Sequence, residues 1–120
     1  GVKPDVILTS PLRRAVQTAE MAAEELSGAA AVQKAQCLAP EGEPEEVWSE
    51  LRRFKDARQV LLAGHEPLIG WFAAYLVGGP SGMFDVKKGS IIRIDVPALG
   101  TKPEGSIRWI LTPALAEAMS

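Results

Sequence analysis

Two short stretches of this sequence carry residues that could bind or transform a ligand. One contains Ser10, Arg13 and Arg14, and the other contains the only histidine, His65. Arginine binds phosphate and carboxylate groups, and the free N–H groups at a helix N-terminus bind the same anions. Each stretch directly follows a short apolar run that is typical of a buried strand. We therefore expect an anion site where two neighbouring strands end, with the tips of Arg14 and His65 close together.

The two arginines are predicted to have different roles. Apolar positions recur from Leu12 to Leu26 as one stripe, which indicates an amphipathic helix. Arg13 falls on the predicted solvent flank, whereas Arg14 falls on the opposite edge beside Thr18. A cation in the first helical turn opposes the macrodipole at a typical cost of roughly 0.3 to 1 kcal/mol, which a phosphate or carboxylate bound by Arg14 would offset. On spacing alone, a surface arginine that covers apolar neighbours explains Arg14 equally well.

The first stretch requires a strand that turns sharply into this helix. Val6 to Leu8 is the predicted strand. Ser10 is a natural N-cap, and Pro11 is a natural first helical residue because its missing N–H would be unpaired there anyway.

The second stretch repeats this architecture. Val60 to Ala63 is the predicted strand, Gly64 and His65 form the corner, and Pro67 opens a helix. A lone histidine is more often structural than catalytic, but the carboxyl end of a strand in an α/β sheet is where such folds bind ligands. The helix is predicted to be packed on both flanks because it is apolar on nearly every side (Leu68, Ile69, Trp71, Phe72, Leu76).

The remaining elements complete one α/β domain that spans residues 1–120. We predict a short strand within Ala31 to Leu38, a helix from Pro44 to Phe54, and strands from Phe84 to Val96 and from Ser106 to Leu111.

Composition excludes several function classes. With 120 residues and a net charge of −2, the chain has no basic stripe for nucleic acid, and its longest apolar run is too short to span a membrane. We expect a cytoplasmic protein. One cysteine, Cys37, and one histidine argue against a disulfide and against a metal site, and Cys37 is expected to be a structural thiol rather than a nucleophile.

Two motifs carry a resemblance to a known family. The runs SPLRRAVQTA, from Ser10 to Ala19, and LLAGHEPLIG, from Leu61 to Gly70, resemble the second and third signature segments of the histidine phosphatase superfamily. The similarity is greatest to the small phosphohistidine phosphatase, or SixA-type, branch. Two motifs in the right order are a far stronger signal than one short pattern. The resemblance implies a doubly wound, phosphoglycerate mutase-like sheet of mainly parallel strands flanked by helices.

The resemblance also implies a site. Its pocket would hold a phosphate between two arginines and two histidines, one of which is the phosphorylated nucleophile. Arg14 matches the phosphate-binding arginine of the second motif, and His65 matches the second histidine, which contacts the phosphoryl group. Ser10 and Glu66 are expected to help bind the substrate, whereas Arg13 is not the family's arginine. No cofactor and no metal are expected.

One signature is missing. The family's Arg-His-Gly corner, which carries the nucleophile, would precede Gly1, and His65 cannot replace it while keeping its own role. We therefore expect a domain that is incomplete at the N-terminus, or a degenerate member of the family. Loss of a central strand is expected to leave Val6 to Leu8 and Val60 to Ala63 with unpaired edges.

The expected function of the intact protein is hydrolysis of a phosphoryl group from a phosphorylated protein (phosphohistidine) or from a small phosphomonoester. The 120 residues alone are expected to be inactive. Three alternatives stay open: a non-catalytic phosphate-binding or interaction domain, a mutase or sugar phosphatase of the same superfamily, and an α/β scaffold without a ligand. The sequence does not indicate the oligomeric state.

Overall fold

The computed structural model describes residues 4–25, 31–54, 56–65, 67–79, 91–96, 100, 103 and 105–111. The elements in chain order are β1 (Val6–Thr9), α1 (Arg13–Glu25), β2 (Val32–Lys34), a 3₁₀ helix (Gln36–Leu38), α2 (Pro44–Leu51), β3 (Gln59–Ala63), α3 (Leu68–Val77), β4 (Ile91–Asp95) and β5 (Ser106–Leu111). In this part of the chain, no helix combines the length and the apolar character that a membrane span needs.

The strands form one mixed sheet in the order β2-β1-β3-β4-β5. β1 is parallel to β2 and to β3, whereas β4 is antiparallel to both β3 and β5. Four of the five described strands therefore run in one direction and only β4 runs in the other, which agrees with the predicted sheet of mainly parallel strands.

Helices cover both faces of the sheet. α1, which connects β1 to β2, packs the alanines Ala19 and Ala22 against Ile7 and Leu61 on one face. α2, which connects β2 to β3, packs on the opposite face together with α3, where the side chains are large (Leu8, Val47, Leu51, Leu62, Leu68, Phe72, Ile92, Ile94). Strands covered on both faces are expected to be apolar at successive positions, as Val6, Ile7 and Leu8 are.

The order of the strands creates a crevice between β1 and β3. From β1 the chain crosses over one face to reach β2, and it returns over the other face to reach β3 on the far side of β1. The connections after the two strands therefore diverge, and α/β sheets bind ligands at the carboxyl ends of strands at such a point. Ser10 and His65 both lie at this edge.

The expectation of unpaired edges on β1 and β3 is wrong. β1 pairs with β2 on one side and β3 on the other, with Val6 opposite Val60 and Thr9 opposite Ala63. The far side of β3 is covered by β4, from Gln59 opposite Asp95 to Ala63 opposite Ile91. The backbone groups of β3 are satisfied because this antiparallel strand lies directly beside it.

Most differences from the predicted elements concern their ends. α1 begins at Arg13 instead of Pro11, and α2 ends at Leu51 instead of Phe54. The strand predicted within Ala31 to Leu38 covers only β2, because the 3₁₀ helix follows it. β4 covers the last part of the strand predicted from Phe84 to Val96, and residues 81–90 lie outside the described residues.

The predicted packing of α3 on both flanks is only partly correct. Seven of its residues are buried, including Leu68, Ile69 and Phe72, but Trp71 is 39% exposed and Val77 is 44% exposed. One side of α3 therefore faces solvent.

Candidate functional site

Ser10 and His65 meet where β1 and β3 end. Thr9 and Ala63 are opposite each other in the parallel register, so the next residues of both strands leave the sheet at the same level. The Oγ of Ser10 lies 2.8 Å from the Nε2 of His65, and both side chains are buried. The two predicted corners thus join through a direct hydrogen bond between residues that are 55 positions apart.

Ser10 is held in place from several directions. Its N–H donates to the carbonyl of Ala63 at 2.8 Å, and its own carbonyl accepts the hydroxyl of Thr9 at 3.0 Å. Its Oγ accepts the N–H of Leu12 at 3.2 Å. The last bond satisfies a donor just before α1, as an N-cap does, although the helix itself begins one residue after Leu12. The serine hydroxyl is therefore fixed before any ligand binds.

His65 is anchored to the start of α3. Its carbonyl accepts the N–H of Ile69 at 3.0 Å, and its side chain is only 7% exposed. Gly64, the residue before it, packs so closely that an added Cβ would lie 2.9 Å from Cδ1 of Ile69. A larger residue at Gly64 would therefore require Ile69 to shift, so the residue next to His65 packs directly against α3.

The bond between Ser10 and His65 has two proton arrangements. Either Nε2–H of the imidazole donates to Oγ, or the serine hydroxyl donates to a bare Nε2. Since Oγ already accepts the N–H of Leu12, the first arrangement uses both of its lone pairs, whereas the second leaves one lone pair unused. In the first arrangement the hydroxyl hydrogen of Ser10 is available to an anion, whereas in the second it is held by Nε2.

Both arginines lie in the first turn of α1, and both are exposed. Thr18 donates its hydroxyl to the carbonyl of Arg14 at 2.9 Å, which fits the predicted placement of Arg14 beside Thr18. No acidic residue occupies that first turn. The convergence of the Arg14 guanidinium with His65 stays a prediction, and Glu66 lies outside the described residues.

Cys37 has the properties expected of a structural thiol. It is half-buried, and burial together with the negative charge of Glu50 raises the pKa of the thiol to about 11. Because the thiolate is the nucleophilic form, the cysteine is protonated and unreactive at neutral pH.

Sequence reasoning did not foresee the role of Asp5, directly before β1. Its carboxylate accepts the backbone N–H groups of Arg58 at 2.8 Å and Gln59 at 2.9 Å. These two bonds lower the pKa of Asp5 below its usual value of 3.8. They also connect the starts of β1 and β3, so they support the register that aligns the two corners. The sequence feature that could have indicated this role is a carboxylate directly before an apolar strand.

Comparison with known proteins finds a family match and matches to solved structures. The family "Histidine phosphatase superfamily (branch 1)" matches residues 1–39, which contain β1, the Ser10 corner and α1. The solved structure of the protein histidine phosphatase SixA complexed with tungstate has a TM-score of 0.71 and 26% sequence identity. That alignment covers 94% of this chain and 71% of the SixA chain. No curated protein matches the sequence.

These findings confirm the predicted resemblance to the histidine phosphatase superfamily and its SixA-type branch. They also confirm the predicted fold class. The family match includes Arg14 but stops before His65, whereas the structural likeness extends over nearly the whole chain. The Ser10 corner is thus supported by the family match and by structural similarity, whereas the His65 corner is supported by structural similarity alone.

Proposed function

We propose that the crevice between β1 and β3 binds a phosphoryl group, and that the intact protein is a phosphohistidine phosphatase-like hydrolase. The hydrogen bond of 2.8 Å between Ser10 and His65 carries this proposal, because it joins the two motifs that resemble the family's signatures. In the proposed site, Arg14 and His65 contact the phosphoryl oxygens, and Ser10 and Glu66 help to bind the substrate.

The proposed roles follow from the chemistry of phosphoryl transfer. Catalysis of this reaction depends mainly on positioning and on positive charge near the equatorial oxygens. A guanidinium group can donate two parallel hydrogen bonds to phosphate, and the first turn of α1 adds the favourable end of a helix dipole. Arg13 and Arg14 are the first two residues of that turn, and the turn contains no carboxylate that would neutralise their guanidinium groups.

The nucleophile is proposed to come from outside these 120 residues. His65 is the only histidine, and we propose it as the phosphate-contacting residue, which Ser10 holds in place through their hydrogen bond. Arg14 and His65 then supply the electrostatic half of catalysis, and a second histidine would form the phosphorylated intermediate. The 120 residues alone are therefore expected to bind phosphate and to turn over almost nothing.

The substrate class is proposed from the similar structure. SixA is a protein histidine phosphatase whose structure contains tungstate, a tetrahedral oxyanion like phosphate. By this similarity, we propose phosphohistidine on a protein as the substrate. A small phosphomonoester, as used by a sugar phosphatase or a mutase, is the alternative substrate.

The test is phosphate release from a phosphohistidine peptide and from an aryl phosphate. The given chain is compared with a chain extended at its N-terminus by a strand that ends in an Arg-His-Gly corner. In the extended chain, Arg14→Ala and His65→Ala should each lower turnover by about 10² to 10³, the typical cost of losing one such donor. The matched control is Arg13→Ala, which removes the same charge from the neighbouring position and should change turnover little because Arg13 is predicted to lie on the solvent flank.

Two outcomes of this assay would contradict the proposal. Full activity of the extended His65→Ala variant would remove His65 from the site. Rapid turnover by the unextended chain would show that the nucleophile has been misplaced. Preference for the aryl phosphate over the peptide would favour the small-molecule alternative.

A second candidate function is a phosphate-binding domain without catalysis. The single histidine favours it, since binding needs no nucleophile. Phosphate binding by the extended chain without any phosphate release would support this candidate over the hydrolase.

A further inference from the structure

A surface groove between α2 and α3 has no role in the proposed phosphate site. It has a volume of about 300 Å³, and Trp71 and Tyr75 line one wall while Glu43, Pro44 and Glu45 line the other. Trp71 and Tyr75 are one turn apart on α3, so their rings lie on the same face of that helix.

The exposure of Trp71 is unexpected for this helix. α3 is otherwise largely buried, yet Trp71 leaves 39% of its surface in solvent. A tryptophan offers one of the largest apolar surfaces of any side chain, so its burial by a ligand is strongly favourable. Tyr75 is half-buried, and its ring lies 6.4 Å from the ring of Phe72, which ties this wall to the core. The aromatic wall is therefore preformed.

The opposite wall is acidic. Glu43 is the N-cap of α2 and Glu45 lies in its first turn, and both are exposed. Capping is carried by Glu43 and Glu46, since the N–H of Glu43 donates to Oε1 of Glu46 at 3.0 Å. Among the described residues, Glu45 forms no hydrogen bond or ion pair, and the residues that line the groove include no cation. Among the described residues that line the groove, Glu43 and Glu45 are therefore the charged ones, and Glu45 also lines a neighbouring depression together with Arg53.

We propose that this groove binds an arginine or lysine side chain from a basic segment of a partner protein. Aromatic faces attract cations through their quadrupole, best for tryptophan, and carboxylates pair with the same cation. Charge complementarity selects this occupant, because an acidic segment would be repelled by Glu43 and Glu45. The apolar stem of the cation would cover the exposed part of Trp71.

The test uses three blocked pentapeptides with leucine on both sides of the central residue. The central residue is arginine, its neutral isostere citrulline, or glutamate. Binding to the ¹⁵N-labelled chain is followed by NMR at low salt, with the indole N–H signal of Trp71 identified by its loss in Trp71→Leu. We expect the arginine peptide to shift this signal and to bind at least threefold more tightly than the citrulline peptide. The glutamate peptide should bind most weakly.

Two variants locate the binding energy. Trp71→Leu keeps an apolar side chain but removes the aromatic face, and Glu45→Gln removes one charge. Each should weaken binding of the arginine peptide about three- to fivefold, in line with one exposed cation–π contact or one exposed charge pair. Glu41→Gln is the matched control, because it removes an exposed charge close to α2 but not in the lining of the groove. It should leave binding nearly unchanged.

Three results would overturn the proposal. Equal affinity for the arginine and citrulline peptides would show that the positive charge does not contribute to binding. An unchanged Trp71 signal would place binding elsewhere. A concentration-dependent dimer in sedimentation that Trp71→Leu abolishes would assign the groove to a second copy of the chain. The assay needs no phosphate, so its failure leaves the proposed phosphatase site unaffected.

Discussion

The two strand-to-helix corners follow the same local plan but are packed differently. At the first corner, Leu12 before α1 is 47% exposed, and α1 places alanines against the sheet. At the second corner, Leu68 at the start of α3 is fully buried, and α3 contributes the large side chains of the core. The start of α1 is thus open towards solvent, although Ser10 before it is buried, and the start of α3 is part of the core.

Because of this difference, we expect the second corner to contribute mainly to stability and the start of α1 mainly to ligand binding. Changes at the second corner should lower the free energy of unfolding and displace His65 with it. Changes at the exposed start of α1 should affect ligand binding with little effect on folding. A site with a buried Ser10–His65 pair beside the exposed start of α1 can keep its geometry while an anion enters from the α1 side.

The largest difference is expected between Leu68→Ala and Leu12→Ala. Leu68→Ala opens a cavity in the core and should lower the free energy of unfolding by about 2 to 5 kcal/mol. Leu12→Ala removes an exposed side chain and should change it by less than about 0.5 kcal/mol. Urea denaturation followed by circular dichroism measures both. Similar losses for the two variants would show that the corners are not packed differently.

Gly64→Ala tests how tightly the second corner is packed. The new Cβ would lie 2.9 Å from Cδ1 and 3.1 Å from Cγ1 of the buried Ile69. Overpacking of this kind lowers the free energy of unfolding by about 1 to 3 kcal/mol. Alanine also reduces the conformational entropy of the unfolded chain, which raises the free energy of unfolding by about 0.4 to 1 kcal/mol. We expect a net loss of about 1 to 2 kcal/mol in urea denaturation.

Gly100→Ala is the matched control for Gly64→Ala, because a Cβ at Gly100 would meet no atom of the described residues within 4 Å. Its stability should be unchanged or slightly higher. If Gly64→Ala proved as stable as this control, Ile69 would have space to move, and the position of His65 would be less constrained than we infer.

Asp5→Asn tests the alignment of the two strands and should have the smallest effect. The carboxylate accepts two backbone N–H groups, so its loss should cost about 0.5 to 1.5 kcal/mol at pH 7. Because these bonds lower the pKa in the folded state, their stabilisation is complete above the usual value of 3.8 and is lost as the pH falls through the folded value. The gap between the wild-type chain and Asp5→Asn should therefore narrow below about pH 4.

That gap is measured by urea denaturation between pH 3 and pH 7. A difference that stays constant over this range would show that the Asp5 charge does not support the register of β1 and β3.

Local patterns predicted most of the fold. The apolar runs located β1 and β3, and the helical stripe located α1, because burial on both sheet faces and on one helix face leaves a periodic signal. α3 was located from Pro67 and from a following segment that is apolar on nearly every side. Helix ends were less accurate. α1 starts at Arg13 because its first backbone hydrogen bond runs from the N–H of Val16 to the carbonyl of Leu12. The exposure of Trp71 could not be predicted from the sequence of α3, which is apolar on nearly every side, because it depends on where α2 lies.

The site was predictable in part. The sequence indicated that the Ser10 and His65 corners are equivalent, and the parallel pairing of β1 with β3 brings them together. The pairing of β4 with β3 was not predicted, because strand neighbours far apart in sequence depend on the whole sheet. Asp5 was missed since a single carboxylate before a strand looks like any surface charge.

The most direct test of the account is a tungstate titration of the 120-residue chain, followed by NMR of the Ser10 amide and the His65 imidazole. The account predicts saturable shifts of both signals, strong weakening by Arg14→Ala and by His65→Ala, and little change with Arg13→Ala. A structure of the complex should place one oxyanion within hydrogen-bond reach of the Arg14 guanidinium and the His65 ring, with the two tips less than about 10 Å apart. Shifts confined to other parts of the chain, or equal weakening by the two arginine variants, would contradict the claim that the two corners form one phosphate site.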